Sequence, residues 1–314
     1  MATLLYTHPV CAEHDAGVYH PERPERLKAI TAALAGEDFK DLERRQAPLA
    51  RIEEIARVHD AGYVEAVLNS VPKSGLAQLD PDTALSPSSG EAALRAAGAI
   101  LAAVDAVAGG QADNAFCAVR PPGHHAERAR AMGFCLFNNV AVGALHARQA
   151  CGFKRVAVVD FDVHHGNGTQ HAFEDDAGLF FASSHQYPCY PGTGSEDEQG
   201  VGNIVNAALP PGAGSREFRQ AWSRRILPAL GGFSPQMILI SAGFDAHAND
   251  PLAQLMLETD DFAWVTREIL SVAADCSGGC SAGRVVSTLE GGYDLDALGA
   301  SAAAHVTALM GGAC

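Results

Sequence analysis

VVDFDVHHGNGTQ, residues 158–170, places two aspartates and two histidines directly behind an apolar run that begins at Val156. The run is short and unbroken, as in a strand buried on both faces. Ionisable groups at the end of such a strand are costly unless they are paired or hold an ion. Asp162 and His164 are two apart, and residues two apart along an extended segment point the same way. One carboxylate and one imidazole can therefore grip the same ion. The third ligand must come from elsewhere, and Asp245, which closes the apolar run MILISAGFD, is the best candidate. Two carboxylates and one neutral imidazole leave a position free for water, the layout of a catalytic metal site. The mixed oxygen and nitrogen donors suit Zn²⁺, and also Fe²⁺ or Co²⁺.

Outward from this stretch, short apolar runs recur and each ends in a polar cluster. They are NAFCAVR (114–120), RVAVVDFD (155–162), GLFFASSH (178–185), PQMILISAGFD (235–245) and RVVSTLEGGY (284–293). Helical patterns stand between or after them: an Ala-rich one over 89–110, then 138–152, 215–232, 259–276 and 295–312. Strands alternating with helices predict an α/β fold, a parallel sheet covered on both faces. Ligands of such sheets gather beyond the carboxyl ends of the strands. PPGHHA, DFDVHHGNG, SSHQYP, SAGFDAH and EGGY all fall at those ends, which predicts one shared site. No linker-like stretch divides the 314 residues, so a single domain over 1–314 is expected.

Composition narrows the function. Hydrophobic residues make up 47% of the chain, enough for a sizeable core. The net charge of -15 argues against a nucleic-acid binder, which would show a basic face. Neither an N-terminal targeting pattern nor a membrane-length apolar run is seen. The eight cysteines form no CxxC and read as reduced thiols of a cytoplasmic protein, with the pair in CSGGC (Cys276, Cys280) a loop accident.

Other residues extend the site. His124 and His125, framed by Pro122 and Gly123, are a tandem pair suited to proton transfer near neutral pH. Asp160 is an orienting carboxylate for one of them and Asn167 a partner for the other. Tyr293, in a Gly-Gly-Tyr turn, offers a hydroxyl to stabilise an oxyanion.

RPPGHHA, GFCLFNN, VVDFDVHHGNGTQ, YPGTG, SAGFDAH and LEGGYD, together with HPERPERL near the start, resemble the zinc-dependent histone deacetylase family in its bacterial class II-like branch, which includes acetylpolyamine amidohydrolases. The resemblance runs over nearly the whole chain. It implies the arginase–deacetylase fold, with about eight mostly parallel strands. It implies one Zn²⁺ on Asp162, His164 and Asp245, and hydrolysis of an acetyl-lysine amide by a metal-activated water. It makes His125 the general base and then acid, His124 with Asp160 its electrostatic partner, and Tyr293 the group that polarises the carbonyl. Phe134 and Tyr190 would wall the acyl-lysine tunnel, and the Gly133 backbone would meet the substrate amide. Ser183 would join Asp160, Asp162 and His164 around a structural K⁺. Asn167 stands where class I members carry Asp. Ser88 is a further expected contact to the substrate backbone.

Substrate preference rests on less. Leu252 lies seven residues after Asp245, where polyamine-selecting relatives can carry an acid, so a leucine favours an acylated lysine in a peptide. The acidic loop SEDEQG (195–200) pulls the other way if it reaches the rim. The expected partner is therefore an acylated lysine peptide or a small acyl amine, with no nucleic acid or membrane. Relatives include dimers and tetramers, so a homo-oligomer is expected. An arginase-like ureohydrolase is disfavoured, because Gly166 and His247 stand where its second metal needs aspartates. An inactive binding module is disfavoured because no ligand or tandem histidine is lost.

Overall fold

The structure is a computed structural model that describes residues 2–275 and 283–311. The sequence reading of Cys276 and Cys280 lies outside the described residues. Among the described cysteines, Cys11, Cys117, Cys135, Cys151 and Cys189 are free thiols.

The strands, in chain order, are β1 (Thr3–Thr7), β2 (Glu43–Gln46), β3 (Ala77–Asp80), β4 (Thr83–Leu85), β5 (Asn114–Cys117), β6 (Val156–Asp160), β7 (Leu179–Gln186), β8 (Ile204–Leu209), β9 (Met237–Ala242) and β10 (Val285–Leu289). Eight of them form one sheet in the order β2-β1-β5-β10-β9-β6-β7-β8, while β3 and β4 make a small hairpin. Every pairing in the large sheet is parallel. The central strands β5, β6, β9 and β10 are buried at every position. That is the burial their unbroken apolar runs require, and it means cover on both faces.

The helices supply the cover. They are α1 (Glu25–Ala33), α2 (Ile52–Ile55), α3 (Ala61–Asn69), α4 (Ser89–Ala108), α5 (Asn139–Gln149), α6 (Asn167–Phe173), α7 (Ser215–Ala221), α8 (Leu227–Phe233), α9 (Thr259–Asp275) and α10 (Leu295–Gly311). The small residues of α4 let it sit close: a side chain at Gly98 would meet the Pro48 carbonyl at 2.0 Å. Helices α4 and α5 pack on one another and over β5, β6, β9 and β10, while α1, α9 and α10 form a second layer.

Five strands anticipated from apolar runs are found, as β5, β6, β7, β9 and β10. The runs overshoot because their polar tails leave the sheet and become the loops that carry the chemistry. The pattern over 215–232 is not one helix: five residues, Trp222–Ile226, take a π-helical turn between α7 and α8. No helix among the described residues is long and apolar enough to cross a membrane.

Candidate active site

The parallel sheet delivers its strand ends to one edge, and the polar clusters meet there. In register, Asp160 at the end of β6 lies beside Ser241 of β9 on one side and Ser183 of β7 on the other. Asp162 and His164 follow in the loop after β6, and Asp245 in the loop after β9. Their donor atoms all lie within 4.8 Å of one another. His164 Nδ1 is 3.2 Å from Asp162 Oδ1 and 3.1 Å from Asp245 Oδ2. Both carboxylates are 1% exposed.

Backbone groups hold these side chains. The N–H groups of His164 and Gly291 donate to the two Asp162 oxygens at 2.9 and 2.8 Å. The Val163 N–H donates to Asp245 Oδ1 at 2.9 Å. Two glycines make the room. A side chain at Gly291 would stand 2.1 Å from Asp245 Oδ2, and one at Gly243 would stand 1.9 Å from Asp162 Oδ2.

The set fits a divalent cation. Burial, and then the charge of Asp162, push the Asp245 carboxyl up. Burial would also raise Asp162, but His124 and His164 hold it low. The same two carboxylates draw a proton onto His164 against its burial. Two crowded carboxylates holding positive charge on an adjacent nitrogen describe the electrostatic place of a metal ion. Asp105, His146 and Cys151 are also close enough to share an ion. They lie where α4 and α5 run toward the opposite edge of the sheet, and the Arg57 guanidinium already bonds His146 Nδ1 at 2.6 Å.

His124 and His125 stand beside this centre and differ sharply. Their rings are 4.0 Å apart, and both are almost fully buried. His124 Nδ1 bonds Asp160 Oδ2 at 2.9 Å. Burial opposes charge on that ring, but Asp162 and Asp160 outweigh it and push its pKa up to about 10. His125 Nδ1 bonds only the neutral amide oxygen of Asn167, at 2.7 Å. Burial, then the positive fields of His124 and His164, hold it well below the usual histidine range. One ring is a fixed cation and its neighbour a neutral base.

Two residues that sequence reasoning does not single out brace the turn and the tyrosine. Glu290 Oε2 accepts the Gly123 and His124 N–H groups at 2.6 and 3.1 Å, which fixes the His-His turn. Arg26 donates to the carbonyls of Gly292 and Glu290 at 2.6 and 2.5 Å, and its guanidinium lies 4.8 Å from the centre of the Tyr293 ring. Glu22 in turn pairs with Arg26 at 3.0 Å and with Arg120. The signal for them is a Glu and an Arg within the motifs HPERPERL and LEGGYD, which spacing alone does not place. Tyr293 is 8% exposed, and burial raises its phenol well above the usual range.

A cavity of about 210 Å³ opens over this floor. His125, His164 and Tyr293 lie at its base, with Gly133, Phe134, Tyr190, Leu252 and Asp82 as the other lining residues. Gly133 has φ +57, and a side chain there would strike the His125 ring at 2.4 Å. Phe134 also takes a positive φ, +67, and its ring stands edge-on to Tyr293 at 5.9 Å. Tyr190 closes the other wall, 5.1 Å from His125. Ser88 is elsewhere: its hydroxyl donates to Glu13 at 3.0 Å and does not line the cavity. The carboxylate at the mouth is Asp82, which accepts the Gly133 N–H at 3.1 Å. Ser183 bonds His185 Nδ1 at 2.9 Å. The acids of SEDEQG are not among the cavity's lining residues: Glu198 binds Gln170 and the N–H groups of Gly194 and Ser195, and Glu196 pairs with Arg225.

Residues 20–309 match the description of a histone deacetylase domain. The chain belongs to the histone deacetylase family. It is 38% identical to the chloroplastic histone deacetylase 14 of Arabidopsis thaliana, over 99% of this chain and 77% of that one. It is 41% identical to a histone deacetylase-like amidohydrolase of Pseudomonas aeruginosa, over 88% of this chain and 73% of that one. A crystal structure of the HDA15 HD domain superposes with a TM-score of 0.91 at 36% identity, covering 99% of this chain and 89% of that chain. The fold is that of arginase and the deacetylases, as the resemblance implied. The protein is accordingly a hydrolase of amide bonds in the deacetylase and amidohydrolase group.

Proposed function

We propose that the protein removes the acetyl group from acetyl-lysine in a peptide or protein, with one Zn²⁺ held by Asp162, His164 and Asp245. The observation that carries this reading is the adjacent His124–His125 pair, one ring bonded to the Asp160 carboxylate and the other to the Asn167 amide, at the floor of an acyl-sized cavity next to three metal-capable donors. When bound, a divalent cation such as Zn²⁺ would polarise the amide carbonyl and lower the pKa of a water. His125 then takes the water's proton and later gives it to the departing amine. His124, held charged by Asp160, balances the negative charge that gathers as the C–O bond forms. Tyr293 donates its O–H to the carbonyl oxygen as that oxygen becomes anionic. The C–N bond breaks to leave acetate and a free amine. Phe134 and Tyr190 clasp the lysine stem and keep bulk water out.

Gly166 supports one metal over two. A side chain there would meet Asp160 Oδ2 at 2.5 Å, so the aspartate that a second ion needs has no room. A structural K⁺ beside Asp160 and Ser183, a cytoplasmic location in keeping with the free thiols, and a dimer or tetramer complete the reading.

One observation favours a second substrate. Leu252 brings no charge to the mouth, but Asp82 does, and a carboxylate there would attract the distal ammonium of an acetylpolyamine. Comparing kcat/KM on an acetyl-lysine peptide and on acetylputrescine tests both. A preference for the peptide upholds the first reading, and a preference for acetylputrescine replaces it with the second.

A further inference from the structure

Behind His125 a line of side chains runs out to the surface. Asn167, 2% exposed, turns its oxygen to His125 Nδ1 at 2.7 Å. Its NH₂ group donates to Glu127 Oε1 and, at 3.3 Å, to the backbone carbonyl of His125. Glu127 also receives His171 Nδ1, 2.8 Å from both of its oxygens. The His171 side chain is 45% exposed and that of Glu127 is 22% exposed. Neither Glu127 nor His171 has a part in the chemistry above.

An amide has two ends of nearly equal shape, an acceptor and a donor. With the oxygen toward His125, the ring must carry its proton on Nδ1, and Nε2 keeps the lone pair that a base requires. With the amide reversed, NH₂ would face Nδ1, the ring proton would move to Nε2, and the base would be gone. The two side chains cannot choose between these states, because the imidazole can change tautomer to suit either. The choice falls to the acceptors at the far end of the amide, where the His125 carbonyl makes a long contact of 3.3 Å and the Glu127 carboxylate a short, charge-assisted one. A carboxylate only accepts, so it is satisfied by the NH₂ end and repels the oxygen end. His171 donates to the same carboxylate from outside and holds it in position.

We propose that Glu127 is a positioning residue: acting through the Asn167 amide, it fixes His125 as the Nδ1–H tautomer, with His171 as its outer clamp. This rests on the reading of His125 as the base.

Glu127→Gln, Asn167→Asp and the double variant test it in the metal-loaded enzyme on an acetyl-lysine peptide. Glu127→Gln should lower kcat about tenfold, as loss of an outer hydrogen-bond partner does, with little change in KM. Asn167→Asp should also lower kcat, because it presses two carboxylates together. The double variant should be faster than Asn167→Asp alone. In it, the new carboxylate accepts at either oxygen and needs no orienting. The new amide, in place of the Glu127 carboxylate, can donate to that carboxylate instead of repelling it. A residue that only packs would lower activity in both backgrounds. That result, or wild-type turnover in Glu127→Gln, overturns the proposal. The tautomer is read separately by long-range ¹H–¹⁵N NMR of the histidine rings, which needs no turnover. His125 should carry its proton on Nδ1 in the parent and a mixture in Glu127→Gln. An unchanged Nδ1–H ring in the variant refutes the clamp, even if acetyl-lysine is not the substrate.

Discussion

The floor and the mouth of the cavity are built on different terms. At the floor, Asp162, His164, Asp245, His124 and His125 are nearly or fully buried, and backbone N–H groups or paired side chains hold all of them. At the mouth, Tyr190 and Leu252 are 40% and 37% exposed, and Leu252 is held through its backbone N–H, which donates to Asp250 at 3.0 Å. The floor descends from strand ends, whose register the sheet dictates. The mouth descends from loops. Chemistry is therefore expected to be rigid to substitution, and selectivity to be adjustable.

Perturbing the floor should cost most. Asp162→Ala should lose both the bound metal and turnover, read by metal analysis and acetate release; full occupancy would refute the ligand assignment. Gly291→Ala should be nearly as severe, since its new methyl would collide with Asp245 Oδ2 from 2.1 Å. Weakened metal binding in a folded protein is the expected result, and parental affinity would show that the glycine cradle is not needed. Tyr293→Phe should lower kcat on the order of 10²-fold, the usual loss for an oxyanion donor. Near-parental turnover would remove Tyr293 from the chemistry.

Smaller effects sharpen the contrast. Asp162 and Asp160 raise the folded pKa of His124, so its charged form persists above the usual histidine range. Activity that uses that charge falls as the pH rises through the raised pKa. Asp160→Asn removes part of the raising field, so the alkaline limb of kcat should move to lower pH. An unmoved limb would detach His124 from it. At the mouth, Leu252→Glu should leave the peptide kcat within a few-fold while raising kcat/KM for acetylputrescine, because the new carboxylate can meet a distal ammonium. A large drop in kcat on both substrates would show that the mouth is not independent of the floor.

The same division governs what the sequence disclosed. VVDFDVHHGNGTQ, PPGHHA and SAGFDAH placed the floor, because apolar runs identify buried strands and the parallel sheet brings their ends together. The central strands were legible for the same reason. The edge strands β2 and β8, and β1 next to β2, were not. Strand β2 reads ERRQ and lies at the sheet's edge, with no apolar run to betray it. Helix α6 begins inside the motif itself, at Asn167, so its residues read as part of the loop. Asp82 could not be found at all. It sits in the short turn between β3 and β4, and only the folding of that hairpin against Gly133 makes it a cavity residue. Glu127 stands two residues beyond the His-His pair, but its bond to Asn167 spans 40 positions of sequence.

Metal dependence of the amide hydrolysis at the floor is read most directly from acetate release from an acetyl-lysine peptide, after the protein has been stripped with a chelator and titrated with Zn²⁺. Release should be lost on stripping and return in full at about one ion per chain, the number a single three-ligand site holds. Release that survives chelation, or that returns only with two ions per chain, would contradict hydrolysis at a one-metal site.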